Sequence, residues 1–351
     1  MYKYGSGCEK VFTSFRSVQT GAVGVEEERM MRKWLCLLGC TLLLLSGCDR
    51  QENNGAAFPG QAGEDKNLIV VGLSQVGSES DWRLANTRSY RETFTEENGY
   101  YLLFEDAQQK QENQVKAVRN FILQEVDYIV LDPIAETGWD AVLAEAKEAG
   151  IPVILSDRSV QVEDEGLYTC WIGSDFEAEG RNAGEWLRDY LEKENRGEED
   201  IQIVTLLGTP DSSAQLGRTE GFRQILEEQD NWTMLEEQSG EFVQAKGKEV
   251  MEYFLDTYPD IDVVVCQNDN MAFGAIDAMK EAGKRYGKKG GIIVISFDAT
   301  QAALEAVKKG EINVDFECNP QLGPLVDQTI QRLQSGREVE KVQYVEETFY
   351  D

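Results

Sequence analysis

The chain has 351 residues, with 34 Lys and Arg against 64 Asp and Glu, and its formal net charge is −30 at pH 7. Such an acidic surface repels nucleic acid and anionic membrane surfaces. The sequence contains no histidine, which excludes Ser-His-Asp and Cys-His catalysis and every metal site that uses histidine. The length is sufficient for two domains, each with its own core.

The amino-terminal region has the pattern of a bacterial export signal. Residues 30–33 (Met-Met-Arg-Lys) form a positive n-region, and residues 34–45 form an apolar h-region that is too short to favour a membrane span. The h-region ends in Leu-Ser-Gly-Cys48, which resembles a lipoprotein cleavage motif. We therefore expect residues 1–47 to be an upstream segment and signal peptide, and Cys48 to carry the lipid. The alternative is an ordinary secretory signal with a chance cysteine.

Residues 48–67 are rich in Gln, Asn, Gly, Ala and Glu, which predicts a flexible linker between the lipid and the folded body. Within that body, Cys170, Cys266 and Cys318 are an odd number of widely spaced cysteines. This spacing indicates neither a disulfide framework nor a metal site. We expect these cysteines to be small buried side chains.

Strand-like and helix-like segments alternate from residue 68 onward. In the first half, short apolar runs predict strands at 68–73, 101–104, 128–131, 153–155 and 168–172. Apolar residues at helical spacing, as in Val115, Val118 and Ile122, mark the segments between the strands. The predicted helices of this half span 79–97, 114–124 and 138–149.

The second half repeats this alternation. Its predicted strands lie at 201–207, 233–238, 262–266 and 292–297. Its predicted helices lie at 176–192, 212–228, 243–254, 272–282 and 301–308. Two successive sets of β-α units predict an α/β fold with two doubly wound parallel-sheet lobes.

Polar residues follow most of the predicted strands. They are Ser74-Gln75, Glu105-Asp106, Asp132-Pro133, Asp157-Arg158, Gly208-Thr209, Gln267-Asn268-Asp269 and Ser296-Phe297-Asp298. Parallel α/β sheets bind ligands beyond the carboxyl ends of their strands. Two lobes that face each other with such ends form a cleft lined by carboxylates, amides and arginine, which suits a polyhydroxylated ligand.

Each of these acids also has a plainer explanation, since Asp after a strand often caps the next helix. Trp82 lies in a predicted polar loop, where its ring would cover the apolar face of a sugar. Core packing is the alternative role of this tryptophan.

From about residue 68 to the carboxyl terminus, the chain resembles a ribose-type periplasmic sugar-binding protein, the solute-binding component of an ABC importer. The resemblance is carried by residues 151–158 (Ile-Pro-Val-Ile-Leu-Ser-Asp-Arg), 217–222 (Gly-Arg-Thr-Glu-Gly-Phe), 268–275 and 296–298. Within this class the chain is most similar to the galactofuranose-binding branch, through residues 74–80, Trp82-Arg83, 106–113, 137–139 and 238–242.

The resemblance implies a set of sugar-binding residues. From the first lobe these are Trp82, Arg83, Asp106, Asp157 and Arg158, and from the second lobe Arg218 and Asn268, with Asp298 and Glu317 nearer the hinge. The loop 209–215 departs from the family pattern at Pro210 and Asp211, which leaves the fine sugar specificity open.

The resemblance also implies the type I periplasmic binding protein fold, with a three-strand hinge. The first lobe would contain residues 68–173 and 318–337, and the second lobe residues 174–317 and 338–351. The hinge crossings are expected near 173–174, 317–318 and 336–341.

The function that the resemblance implies is capture of a monosaccharide, expected to be galactofuranose or a related pentose or hexose, between the lobes. The closed form would then be recognised by an ABC permease and its ATPase. We expect an extracytoplasmic monomer that is not an enzyme, uses no cofactor or metal, binds no nucleic acid, and touches the membrane only through the lipid on Cys48. Alternatives are a receptor module that presents a sugar to a sensor kinase, and a glycosidase that uses two carboxylates; the two-lobed pattern argues against the glycosidase.

Overall fold

The computed structural model describes residues 68–351. The predictions made for residues 1–67, namely the signal peptide, the lipid on Cys48 and the linker, lie outside the described residues. None of the helices within the described range is both long and apolar enough to cross a membrane.

The first lobe is built on a six-stranded sheet in the order β11-β5-β4-β3-β1-β2. Its strands are β1 (Ile69–Gln75), β2 (Tyr100–Asp106), β3 (Tyr128–Leu131), β4 (Val153–Ser156), β5 (Cys170–Gly173) and β11 (Val342–Tyr344), all paired in parallel. Its helices are α1 (Asp81–Thr93), α2 (Gln111–Leu123), α3 (Asp140–Glu148) and α9 (Gly323–Gln334). Strands β3 and β4 are buried along their whole length, as expected for a sheet covered on both faces.

The second lobe is built on a six-stranded sheet in the order β12-β10-β9-β8-β6-β7. Its strands are β6 (Ile201–Leu207), β7 (Trp232–Ser239), β8 (Val263–Cys266), β9 (Ile293–Asp298), β10 (Val314–Glu317) and the antiparallel β12 (Phe349–Tyr350). Its helices are α4 (Phe176–Lys193), α5 (Ser213–Leu226), α6 (Gln244–Thr257), α7 (Asp269–Glu281) and α8 (Gln301–Lys309). The predicted fold of two doubly wound parallel-sheet lobes is confirmed.

Helices α4 and α5 pack against each other at unusually close range because of two glycines. A Cβ added to Gly180 would lie 2.2 Å from the carbonyl oxygen of Arg218, and one added to Gly221 would lie 2.0 Å from that of Glu177. Any larger residue would push the helices apart. The Gly-Arg-Thr-Glu-Gly sequence therefore serves to hold Arg218 at a fixed depth beside α4.

The chain passes between the two sheets in three segments, after β5 (174–175), after β10 (318–322) and after β11 (345–348), here called the first, second and third crossings. The predicted third crossing at 336–341, and the assignment of all of 338–351 to the second lobe, are wrong. Val342–Tyr344 pairs with β5 of the first sheet, and Tyr344 packs edge-on against Trp171 with ring centroids 5.5 Å apart. This short, exposed edge strand has no apolar run that would reveal it in the sequence.

Candidate functional site

A narrow pocket with a cavity volume of about 30 Å³ lies between the carboxyl ends of the two sheets. From the first lobe it is lined by Glu79, Ser80, Trp82, Arg83, Asp157 and Arg158. The second lobe contributes Phe176, Ala214, Arg218, Phe242, Asn268 and Asp298, and the second crossing contributes Cys318.

The amino terminus of α1 places two of these residues. Ser80 caps the helix, because its side chain accepts a hydrogen bond from the Arg83 amide at 3.1 Å. Trp82 therefore lies in the first helical turn, within the predicted helix 79–97 and not in a polar loop before it. Its indole Nε1 donates to the carbonyl oxygen of Cys318 at 2.6 Å, so the ring is anchored to the second crossing while it lines the pocket.

The first-lobe wall contains a buried charge network, here called the first-wall cluster, formed by Glu79, Arg83, Asp132, Asp157 and Arg158. Arg83 is its centre. Its Nη2 donates to Asp157 at 2.5 Å, its Nε to Glu79 at 3.0 Å and its Nη1 to Asp132 at 3.4 Å. Burial alone would lower the pKa of the Arg83 guanidinium, but these carboxylates raise it above its ordinary value.

Asp132 and Arg158 complete this cluster. Burial raises the pKa of Asp132 to about 8, against the opposing effect of Arg83. Burial and the neighbouring Arg83 lower the pKa of Arg158, whose Nη1 donates to the carbonyl oxygen of Ile134 at 3.2 Å. The Arg158 guanidinium faces the ring of Phe242 from the opposite lobe at 5.3 Å, a cation–π contact across the cleft.

The second-lobe wall is organised around one arginine. Arg218 donates through Nε to Glu179 at 2.6 Å and through Nη1 to the carbonyl oxygen of Gln267, and its Nη2 lies 3.7 Å from Asp298. The guanidinium lies beside two rings, Phe297 at 4.8 Å and Phe176 at 5.4 Å. Asp269 and Asp315 lie behind Asp298; these two, with Glu179, Arg218 and Asp298, are here called the second-wall cluster.

The second-wall cluster contains more acids than cations, and the pKa values of its aspartates are raised. Burial raises the pKa of Asp298 and of Asp315 well above the ordinary value, and raises that of Asp269 to about 6. Asn268 caps α7, accepting from the Met271 amide at 2.9 Å, and its Nδ2 donates to the carbonyl oxygen of Phe242 at 3.2 Å. The helix-capping role considered for the strand-end residues thus applies to Asn268, although it also lines the pocket.

Two polar atoms in the wall of the pocket have no hydrogen-bond partner among residues 68–351. Glu79 Oε2 and Arg158 Nε are both buried, and neither makes a hydrogen bond to any described residue. Glu79 Oε2 is an acceptor and Arg158 Nε is a donor. A sugar hydroxyl can donate to the first and accept from the second. Buried polar groups in native proteins are normally satisfied, so these atoms indicate where a ligand binds.

Two residues that the sequence placed in the site lie elsewhere. Asp106 is exposed at the end of β2, where it accepts from the Gln108 amide at 2.7 Å. Glu317 ends β10 and lines a different pocket, on the hinge side of the molecule. The strand order explains both errors. The pocket residues at strand ends come from β4, β8 and β9, whereas β2 is the edge strand of the first sheet and β10 lies beside the edge strand β12 of the second.

Several pocket residues were missed by the sequence reasoning. Glu79, Phe176, Ala214, Phe242 and Cys318 all line the cleft. Phe242 has φ +62°, and its ring fills the space that a side chain on Gly208 would need, since a Cβ there would lie 2.0 Å from the ring. An aromatic residue two positions after Gly240, in a stretch that carries the family resemblance, was the available signal.

The lobes are closed on each other around this pocket. Direct hydrogen bonds join them at the rim: the Asp81 amide to Asn270 Oδ1 at 3.0 Å, the Ser159 amide to Ser213 Oγ at 2.9 Å, and the Glu136 amide to the Asp211 carbonyl oxygen at 2.9 Å. Pro210 and Asp211, the two departures from the family pattern in the segment 209–215, do not line the pocket, whereas Ala214 of the same segment does.

Among the described residues, one group of potential metal-ligand atoms lies within 4.8 Å of one another, on Glu179, Cys318 and Glu347. It lies at the crossings and not at the centre of the cleft. The group combines a thiol with two carboxylates, one of which is already paired with Arg218 at 2.6 Å, so its protein contacts account for it without an ion. The three cysteines of the described chain are free and buried.

The fold and the cleft define a two-lobed binding protein, and comparison with known proteins agrees. The family model for the periplasmic binding protein domain matches residues 71–321, and the chain belongs to this family. Members of this kind bind solutes for transport, and the chain is a binding protein rather than an enzyme.

The names of individual relatives are more specific than the family description. The galactofuranose-binding protein YtfQ of Escherichia coli (strain K12) is 41% identical over 286 residues, which cover 80% of this chain and 87% of that protein. A crystal structure from Mycobacterium smegmatis in complex with β-D-fucofuranose is 41% identical, with a TM-score of 0.77 over 81% of this chain and 91% of that chain. The arabinose ABC transporter component from Shewanella sp. ANA-3, bound to α- and β-L-arabinofuranose, is 40% identical, with a TM-score of 0.75 over 80% of this chain and 91% of that chain.

Proposed function

We propose that this chain is an extracytoplasmic lipoprotein that captures a monosaccharide in its five-membered ring form and delivers it to an ABC permease. The observation that carries the proposal is the closed pocket with the unpartnered atoms Glu79 Oε2 and Arg158 Nε in its wall. One relative described above is named for galactofuranose, and the two crystal structures contain fucofuranose and arabinofuranose, which supports the furanose form of galactose or of a related hexose or pentose.

The cleft chemistry fits such a ligand. Asp157 and Asp298 are acceptors on opposite walls, and the forks of Arg158 and Arg218 are donors on opposite walls. A sugar that bonds to both walls stabilises the closed form. Each hydrogen bond to a charged group contributes about 1.5–3 kcal/mol, so several of them are sufficient for micromolar or tighter affinity.

The decisive experiment is a thermal-shift screen with sugars that differ in ring form. D-Galactose, D-fucose, L-arabinose and D-ribose form one set. The second set is 5-deoxy-L-arabinose, which closes as a five-membered ring, and 4-deoxy-L-arabinose, which closes as a six-membered ring. Each of these two lacks one hydroxyl group, so they are matched. We expect stabilisation by the 5-deoxy sugar and little by the 4-deoxy sugar; the reverse order would contradict the furanose assignment.

Variants test the site itself. Asp157→Ala and Arg158→Ala are expected to abolish the sugar-induced shift, because both residues line the closed pocket. Asp106→Ala is the matched control, since the sequence assigned it to the site and the structure places it on the surface. It should keep the full shift. Unchanged shifts in both cleft variants would refute the site.

The lipid anchor and the partner are tested in cells. Cys48→Ala should release the protein into the medium, whereas Cys170→Ala should leave it bound to the membrane. Deletion of the gene should abolish uptake of the sugar that gives the largest thermal shift. Normal uptake together with loss of a sugar-dependent transcriptional response would instead favour the sensor-kinase alternative.

A further inference from the structure

Glu347 lies in the third crossing and contacts both of the others. Its Oε1 accepts a hydrogen bond from Ser174 Oγ at 2.7 Å and another from the Asn319 amide at 2.7 Å. Ser174 belongs to the first crossing and Asn319 to the second. A single carboxyl oxygen thus joins the three segments about which the lobes must bend.

Glu179 connects this point to the cleft. Its Oε2 accepts from Arg218 Nε at 2.6 Å, whereas its Oε1 is buried and has no hydrogen-bond partner among the described residues. A carboxylate oxygen of Glu179 and one of Glu347 lie within 4.8 Å of each other. Two carboxyl groups that converge in a buried place are stable when one of them keeps its proton and donates it to the other.

We propose that Glu347 is a positioning residue for the sugar site. It stays a neutral acid, accepts from the other two crossings through Oε1, and donates its O–H to the unpartnered Oε1 of Glu179. Glu179 in turn orients Arg218 in the cleft. The part of the inference that concerns sugar affinity rests on the proposed function; the part that concerns the proton does not.

The surroundings of Glu347 favour the neutral form. The charged and titratable groups that face it are Glu179 from α4, Cys318 from the second crossing and, farther away, Arg218 from α5; Asp175 and Glu317 line the same hinge-side pocket. Burial and the Glu179 carboxylate raise the pKa of Glu347 to about 8, against the hydrogen bonds from Asn319 and Ser174 and the charge of Arg218.

The sign of the pH effect follows from this direction. A carboxyl group with a raised pKa in the folded state contributes stability that is present at low pH and is lost as the pH rises through the folded-state value. Above about pH 8, Glu347 therefore loses its hydrogen bond to Glu179, and two negative charges then face each other. Both the hinge and the orientation of Arg218 weaken.

Glu347→Gln is the central test. The amide oxygen can accept from Ser174 and Asn319, the amide nitrogen can donate to Glu179, and the group never ionises. The unfolding midpoint without sugar and the Kd for L-arabinose are measured at pH 7 and pH 9. In the unmodified protein the midpoint should fall and the Kd should rise by up to about tenfold between these pH values, as expected for one coupled proton. In Glu347→Gln the Kd should change by less than about twofold.

Glu317→Gln is the matched control, because it makes the same charge change in the same pocket, and the Glu317 side chain accepts from the Tyr350 hydroxyl and not from a crossing. It should retain the pH dependence of the unmodified protein. Glu347→Ala removes the hydrogen bonds altogether and should weaken binding at both pH values. Sugar binding that is retained in Glu347→Gln but weakened in Glu347→Ala would show that Glu347 positions the site through its hydrogen bonds and not only through packing.

Each possible result of these measurements either supports the role of Glu347 or contradicts it. A Kd and midpoint that do not change between pH 7 and pH 9, or a Glu347→Gln variant with undiminished pH dependence, would overturn it. A pH effect on unfolding without one on Kd would exclude the link to Arg218, and an affinity that changes with added Ca²⁺ or a chelator would replace the proton by a cation. If no sugar binds, the proposed function fails while the unfolding data still decide whether Glu347 holds a proton.

If the Glu347 variants do not fold, the unmodified protein can still be used to test the proposal. Calorimetry of sugar binding to the unmodified protein at pH 8, in buffers of different ionisation enthalpy, measures protons exchanged on binding. Proton uptake is expected, and a net exchange of zero would contradict the proposal.

Discussion

The two walls of the cleft occupy equivalent places in two sheets with the same strand order, but their charges are balanced in different ways. In the first-wall cluster, Arg83 alone contacts three carboxylates, and Arg158 adds a second cation. In the second-wall cluster, Arg218 is the one arginine beside four acids. The first wall therefore depends mainly on ion pairing, although burial raises the pKa of its Asp132 to about 8, whereas the second depends on acids that retain protons.

This difference in charge balance determines how each wall responds to the loss of its central arginine. A buried carboxylate that loses its cation must either stay charged at high cost or take up a proton. In the second-wall cluster, the pKa values of Asp298 and Asp315 are already raised, so protonation there is easy. In the first-wall cluster, burial alone would raise the pKa of Glu79, but Arg83 and Arg158 lower it below the ordinary value, so protonation there is harder.

The largest expected effect is the loss of the central arginine from the first wall. Arg83→Met leaves Glu79 and Asp157 without their main cation and should destabilise the protein by about 3–5 kcal/mol. Arg218→Met should cost less, about 1–3 kcal/mol, because the acids around it can protonate. Urea unfolding at pH 7 measures both variants, and equal losses would contradict the comparison.

Arg119→Met is the control for this pair of variants. Arg119 forms an ion pair with Glu145 at 2.8 Å on the surface, where both side chains are close to half exposed. Its removal should leave the free energy of unfolding nearly unchanged, as for other exposed pairs.

The next effect concerns the contact between the first wall and the hinge. Trp82→Phe removes the donor to the buried Cys318 carbonyl oxygen and should cost about 1–3 kcal/mol of folding free energy. Trp186→Phe is the control, because that indole donates to the exposed carboxylate of Asp351 at 3.0 Å. A similar loss in both variants would mean that ring volume, and not the hydrogen bond, is responsible.

The proton dependence of the second wall is tested by Asp315→Asn. The pKa of Asp315 is raised by burial and by Asp269, so its contribution to stability is lost as the pH rises through the folded-state value. Asn keeps a neutral donor and acceptor, and the variant should become more stable than the unmodified protein at pH 9, by at most about 1.4 kcal/mol per pH unit.

Thermal or urea unfolding from pH 6 to pH 9 follows this effect. Asp277→Asn makes the same charge change on the exposed face of α7 and should leave the pH profile unchanged. A profile for Asp315→Asn that is parallel to that of the unmodified protein would show that Asp315 does not hold a proton.

The smallest effect is expected at the rim, where the walls touch each other. Asn270→Ala removes the bond to the Asp81 amide and should raise the sugar Kd about fivefold to tenfold, the equivalent of one hydrogen bond of about 1 kcal/mol. Asn120→Ala, on the exposed surface of α2, should leave the Kd unchanged. Identical Kd values in both variants would mean that the rim contacts do not stabilise closure.

The pocket residues divide into those that local sequence reveals and those that it hides. Asp157, Arg158, Asn268 and Asp298 follow buried strands, so alternation of strand and helix places them at the ligand-binding edge. Asp106 follows a strand of the same kind and was assigned to the site on equal grounds. Only the order of strands in the sheet separates it from the others, and that order depends on contacts between distant segments.

The contacts at the hinge also could not be predicted from the sequence. Nothing around Glu347 in the sequence indicates a partly buried acid, since its environment is created by Ser174, Asn319 and Glu179, all of which are distant in the chain. Likewise, Glu79 is one of many acids on an acidic chain until the folded structure brings Arg83 and Arg158 beside it.

The sequence by itself determined the α/β class, the two lobes and the polar strand ends, because these follow from local periodicity and from the position of polar residues after apolar runs. The tertiary structure alone decided which strand ends meet, since strand order and lobe closure are long-range properties. It also decided the protonation of the buried acids, because a pKa depends on burial and on neighbouring charges that come together only when the chain is folded.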